Sequence, residues 1–104
     1  MTARAVTQNP LTQGVDETIA YTITTTPWGT APTSVAVKAY SVASADVYTD
    51  VTSTVLSGTA TTSGDIITLP ALTALTLDKL YRVETKFTCS GNIFECYFEV
   101  MAER

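Results

Sequence analysis

The sequence has no histidine, two cysteines, and six lysine or arginine residues against ten aspartate or glutamate residues. Without histidine it lacks the side chain that most often serves as general base or metal ligand near neutral pH. A formal net charge of −4 with so few cations argues against nucleic acid as a partner, since phosphate neutralisation needs clustered Lys and Arg. No apolar run is long enough to cross a bilayer, and the opening MTARAVTQNP contains no signal-peptide core, so no membrane partner is expected. Apolar residues nowhere recur at the i, i+3, i+4, i+7 spacing of an amphipathic helix over a helical length.

What is present is threonine, at 21 of 104 residues, with ten valines and five tyrosines beside it. β-Branched and aromatic side chains suit a half-buried pleated surface and are mediocre in helices. The expected class is all-β. The length fits a single domain spanning 1–104, large enough to fold without a metal or disulfide.

Turn signals divide the chain into short strands. Arg4 to Gln8 reads as a first strand closed by Asn9-Pro10, and Asp16 to Thr26 alternates with Ile19, Tyr21 and Ile23 on one face. Pro27 to Pro32 is a loop, and Thr33 to Val42 alternates again. Val47 to Leu56 reads as a strand broken near Asp50. Ser63-Gly64 is a two-residue hairpin signal that would set Thr62 against Asp65 and Ala60 against Ile67. Ala71 to Lys79 reads as a crossover between sheets.

The last hairpin is the best determined. A two-residue turn at Ser90-Gly91 places Tyr81, Val83, Thr85, Phe87 and Cys89 opposite Val100, Phe98, Cys96, Phe94 and Asn92. That face is almost wholly apolar. The other face sets Arg82 against Glu99 and Lys86 against Glu95, opposite charges directly across the strands, so two independent patterns agree on one register. About seven to eight antiparallel strands of this kind indicate a β-sandwich or small barrel, the sandwich being favoured by one local signature. Leu75 lies six residues before Tyr81 at a strand start, which resembles the tyrosine corner of immunoglobulin-like and fibronectin-III-like domains.

The residues offer little chemistry. In this register Cys89 and Cys96 are separated by about 13 Å of strand, beyond the ~7 Å a disulfide allows, and no base stands beside either thiol. Both are therefore expected reduced, with Cys96 in the core and Cys89 at a strand end. Asp46, Asp50, Asp65 and Asp78 fall near turns, where Asp is locally favoured, and they match no calcium-loop spacing. No enzymatic activity, metal site or cofactor is expected. Trp28, in its Pro/Gly loop, reads either as a plug closing one end of the sandwich or as an anchor for a partner. Trp28, Tyr40, Tyr48 and Tyr97 form the candidate interaction surface, on sheet faces expected to carry little charge.

Several stretches carry a family resemblance: Asp50-Val51-Thr52-Ser53-Thr54-Val55-Leu56, Ser63-Gly64-Asp65-Ile66-Ile67-Thr68-Leu69, Tyr81-Arg82-Val83 and Gly91-Asn92-Ile93-Phe94-Glu95. With the closing Glu103-Arg104 and the looser Ala20-Tyr21-Thr22-Ile23, they resemble a group of small phage and prophage proteins encoded among virion structural genes. The resemblance covers about half of the chain and rests on turns and strands, with no catalytic residue among them. It implies an immunoglobulin-like accessory or connector protein that contacts other virion proteins or itself. Such a protein sits in the host bacterial cytoplasm during assembly and in the particle afterwards. The alternative is a ligand-binding or adhesion module, carbohydrate- or cell-surface-directed, on the same fold.

Overall fold

The computed structural model describes residues 4–5, 11–44 and 47–103, and these are all-β apart from one helical turn. The strands are β1 (Arg4–Ala5), β2 (Leu11–Gly14), β3 (Thr22–Thr24), β4 (Thr33–Ser44), β5 (Val47–Asp50), β6 (Leu56–Ser57), β7 (Thr61–Ser63), β8 (Ile66–Thr68), β9 (Ala71–Leu72), β10 (Leu80–Cys89) and β11 (Asn92–Glu103). The helical turn α1 (Thr52–Val55) lies between β5 and β6. A six-stranded sheet runs β1-β11-β10-β4-β5 with β2 also on β11, a three-stranded sheet runs β3-β8-β7, and β6 pairs with β9.

The β10–β11 hairpin has the register its sequence specifies, from Leu80 opposite Met101 to Cys89 opposite Asn92. Ser90 and Gly91 have φ of 51° and 79°, the paired positive values of a type I′ turn, whose twist matches the flanking strands. Inward from this hairpin, Tyr81, Val83, Phe87, Cys96, Phe98 and Val100 are buried, and they meet Ile23, Ile67, Leu69, Leu72 and Leu75 in one cluster. The Tyr21 and Phe98 rings, 5.1 Å apart, are one such contact. Leu75 is buried, and the Tyr81 hydroxyl accepts a hydrogen bond from the Thr76 N–H at 2.8 Å, tying the 73–79 crossover to the start of β10.

Several expectations need correction. Not all pairing is antiparallel: β1 and β2 both run parallel to β11. Of the first strand expected over Arg4 to Gln8, Arg4–Ala5 is β1, and 6–10 lies outside the described residues, as does Asp46. The regular strand within Asp16 to Thr26 is only Thr22–Thr24, with Ile19 held by a single bridge to Leu72. The second hairpin turns on Gly64-Asp65, so Ser63 faces Ile66 and Thr62 faces Ile67. There Gly64 takes φ 58° at the first central position, where II′ turns place glycine.

Asp65 is withdrawn from that ladder by other bonds. Its carbonyl accepts from the Thr25 N–H at 2.7 Å, and its carboxylate accepts from the Thr26 hydroxyl at 3.1 Å and the Ala31 N–H at 3.3 Å. The strand expected over 47–56 ends at Asp50 and gives way to α1. The Asp50 carboxylate accepts both the N–H (3.0 Å) and the hydroxyl (2.7 Å) of Thr52, overriding the poor helix propensity of Thr-Ser-Thr-Val. Those bonds hold the Asp50 pKa below its usual value.

Candidate interaction surface

Because β10 buries its odd-numbered side chains, Leu80, Arg82, Glu84 and Lys86 stand on the opposite, open face of the six-stranded sheet. Register with β11, β4 and β5 sets them in rungs. Glu95, Lys86 and Ala36 form one, and Tyr97, Glu84 and Lys38 the next. Glu99, Arg82, Tyr40 and Asp50 form the third, and Met101, Leu80, Val42 and Tyr48 the last.

Arg82 is the hub of this face. Its Nε donates to Glu84 Oε2 at 2.6 Å, and its guanidinium carbon stands 3.7 Å from the Tyr97 ring centroid and 5.6 Å from that of Tyr48. Tyr48 in turn lies 6.2 Å from Tyr40. A guanidinium over tyrosine faces gains from the ring quadrupole, and its rigid planar fork loses little entropy for each hydrogen bond it forms. Burial works against the charged guanidinium, but the hydrogen bond and charge of Glu84, with Tyr48 and Tyr97, more than offset it and raise the Arg82 pKa. In register Arg82 lies opposite Glu99, yet its ion pair is with Glu84 on its own strand.

Three of the four residues expected at an interaction surface therefore meet: Tyr40, Tyr48 and Tyr97. Trp28 does not join them. It is half-buried against the rings of Phe87 (5.7 Å) and Phe94 (6.5 Å), closing one end of the core. The Trp28 loop also buries Cys89, expected at an open strand end but 1% exposed. A Cβ on Gly29 would stand 3.0 Å from Cys89 Cβ, tighter than an ordinary contact, so glycine spares Cys89 a shift. Burial raises the Cys96 thiol pKa to about 11, far from that of an activated nucleophile.

The expectation of weakly charged faces holds for one sheet only. The open face of β3, β8 and β7 presents Thr22, Thr24, Thr61, Ser63 and Thr68 around the exposed Ile66. The six-stranded sheet instead gathers Lys38, Arg82 and Lys86 with Glu84, Glu95 and Glu99. Arg82 and Glu84 had a partial signal in the sequence, the alternation of charge along β10. That Tyr40 and Tyr48 reach them depends on β4 lying beside β10, a non-sequential neighbour.

Between the charged rungs is a recess of about 280 Å³ lined by Ala36, Lys38, Tyr40, Glu84, Thr85, Lys86 and Glu95. Among the described residues no group of three or more Cys, Asp or Glu side chains is placed to hold a metal ion, and no helix is long and apolar enough to cross a membrane. Comparison of the chain with protein-family models, with curated proteins and with solved structures found no match in any of the three.

Proposed function

We propose that the chain is an immunoglobulin-like β-sandwich serving as a non-enzymatic structural or accessory protein of a phage or prophage particle, acting through contacts with other virion proteins or its own copies. Two strand orders support the sandwich: β11-β10-β4-β5 on one side of the core and β3-β8-β7 on the other. The hydroxyl of Tyr81, bonded back to Thr76, supports the immunoglobulin-like form. The resemblance to virion-associated proteins supports the particle setting, with assembly in the host cytoplasm.

The observation that carries a contact role is the cluster of Tyr40, Tyr48 and Tyr97 around Arg82 on an open sheet face. Tyrosine and arginine are enriched at binding hot spots, tyrosine for large contact area at low entropy cost and arginine for its planar fork of hydrogen-bond donors. Recombinant virion proteins from neighbouring genes, titrated in turn against the chain by light scattering and calorimetry, test the proposal. A binding partner whose affinity falls about tenfold or more with Arg82→Ala is the expected result. Binding by none of them, or binding indifferent to Arg82, rejects it.

One observation favours the second reading, a ligand-binding module. The recess beside Tyr40 combines an aromatic wall with Lys38, Lys86, Glu84 and Glu95, groups able to hydrogen-bond a saccharide. Saturable binding on a glycan array, abolished by Tyr40→Ala, would favour it over the particle role.

A further inference from the structure

We infer that the open face of the six-stranded sheet docks a second copy of this chain, face to face, about a two-fold axis parallel to the strands and passing between β10 and β4. The inference rests on the reading of this face as a contact surface and names its partner. Rotation about that axis keeps each rung at its height and exchanges β10 with β4. Residues that are rung neighbours within one copy therefore face each other across the interface.

The consequences can be followed rung by rung. Glu84 of each copy faces Lys38 of the other, giving two symmetric ion pairs. Arg82 faces Tyr40, setting a guanidinium over an aromatic ring twice more. Leu80 faces Val42, so the apolar rung is covered by its own counterpart. Lys86 faces Ala36, beside the recess, whose lining of Ala36, Glu84 and Glu95 offers space for a lysine stem and acceptors for its ammonium, with Lys38 and Lys86 also on its lining. At the rim Met101 meets Tyr48, a thioether on an aromatic ring. The one unfavourable pairing, Glu99 with Asp50, also lies at the rim, where water and salt screen it.

Moved half a strand spacing, onto β10, the axis would place Lys86 against Lys86 and Arg82 against Arg82. Moved a full spacing, to lie between β10 and β11, it would set Lys86 against Glu95 and Arg82 against Glu99 but leave β5, with Tyr48, uncovered. The axis between β10 and β4 is the one that covers β11, β10, β4 and β5 together. Three strands of about eight residues and the four-residue β5, at ~4.8 Å spacing and ~3.3 Å per residue, cover roughly 450 Å² per copy. The total of about 900 Å² lies at the weak end of specific interfaces, so the dimer is reversible.

Sedimentation equilibrium of the whole chain, from roughly 1 μM to 1 mM, tests this. The weight-average mass should rise from 11.1 kDa toward twice that value. Lys38→Glu and Glu84→Lys each turn two attractions into repulsions and should each weaken self-association about tenfold or more. Mixed one to one, the two variants regain complementary pairs and should dimerise with each other, which also shows that both are folded. Wild-type protein that stays monomeric throughout overturns the inference, as does a dimer indifferent to both substitutions or a mixture that fails to associate. A monomer that binds a recombinant virion protein through Arg82 rejects the second copy while leaving the contact surface intact.

Discussion

Thr85 sits in the middle of β10, between Val37 of β4 and Cys96 of β11, and is 1% exposed. Its hydroxyl oxygen has no hydrogen-bond partner. Folding therefore strips that group of water and returns nothing, a cost of about 1–3 kcal/mol. Thr85→Val keeps the branched shape that suits the strand and removes the stranded hydroxyl, so it should stabilise the protein by about 1–2 kcal/mol. For a domain of this size that is a rise in Tm of roughly 4–8 °C per kcal/mol. Thermal unfolding and urea titration, with the urea slope unchanged, provide the measurement. A second arm sharpens it. Cys96→Ser sets a hydroxyl directly across from that of Thr85, within reach for a cross-strand bond, and should cost less than about 1 kcal/mol. In the Thr85→Val background the same serine is unpartnered and should cost about 1–3 kcal/mol. An unchanged or lowered stability in Thr85→Val, or additive effects in the cycle, would refute the reasoning.

Three further outcomes are expected. Burial raises the Cys96 thiol to about 11 from 9.0, so above pH 9 the unfolded chain releases a proton that the native state retains. Stability should fall from about pH 9 to about pH 11, and pH-dependent urea titration should show a shallower fall in Cys96→Ala. Both thiols should resist an alkylating reagent in the native state, Cys89 as much as Cys96; mass spectrometry after a timed exposure reads this directly. Tyr81→Phe removes the acceptor of the Thr76 N–H and should cost about 0.5–1.5 kcal/mol by chemical denaturation, because Thr76 itself is exposed and water replaces the bond.

Where the sequence was informative, the reason was local. The β10–β11 register follows from a two-residue turn and two alternating patterns that agree, and none of these needs a distant partner. Leu75 and Tyr81 were legible together for the same reason. Non-local pairing was not. The turn at Gly64-Asp65 is shifted one residue because Asp65 is bound to Thr25, Thr26 and Ala31, a loop far away in the chain. Gln13 gave no sign of being core, yet it is 1% exposed. Its Nε2 donates to the Leu72 and Glu17 carbonyls at 2.7 and 3.0 Å, and its Oε1 accepts from the Tyr21 hydroxyl at 2.9 Å. Buried amides are invisible to patterning because their stability comes from partners, not from polarity. The tyrosines of the candidate surface were likewise legible as outward-facing, while their gathering at Arg82 required the sheet order.

The parallel pairing of β2 with β11 orders events during synthesis. Leu11 to Gly14 leave the ribosome well before the backbone groups that receive them, on Val100 to Glu103, are made. Until then β2 has no ladder, and Gln13, which links it to Leu72 and Tyr21, can at best hold it loosely. The nascent chain therefore completes β3 to β10 with one flank of its largest sheet unfilled, and two separate segments must then converge on the same newly made strand. Because long-range closure of this kind is slow, the final docking of β2 is the step at which a second chain's strand can most readily intrude.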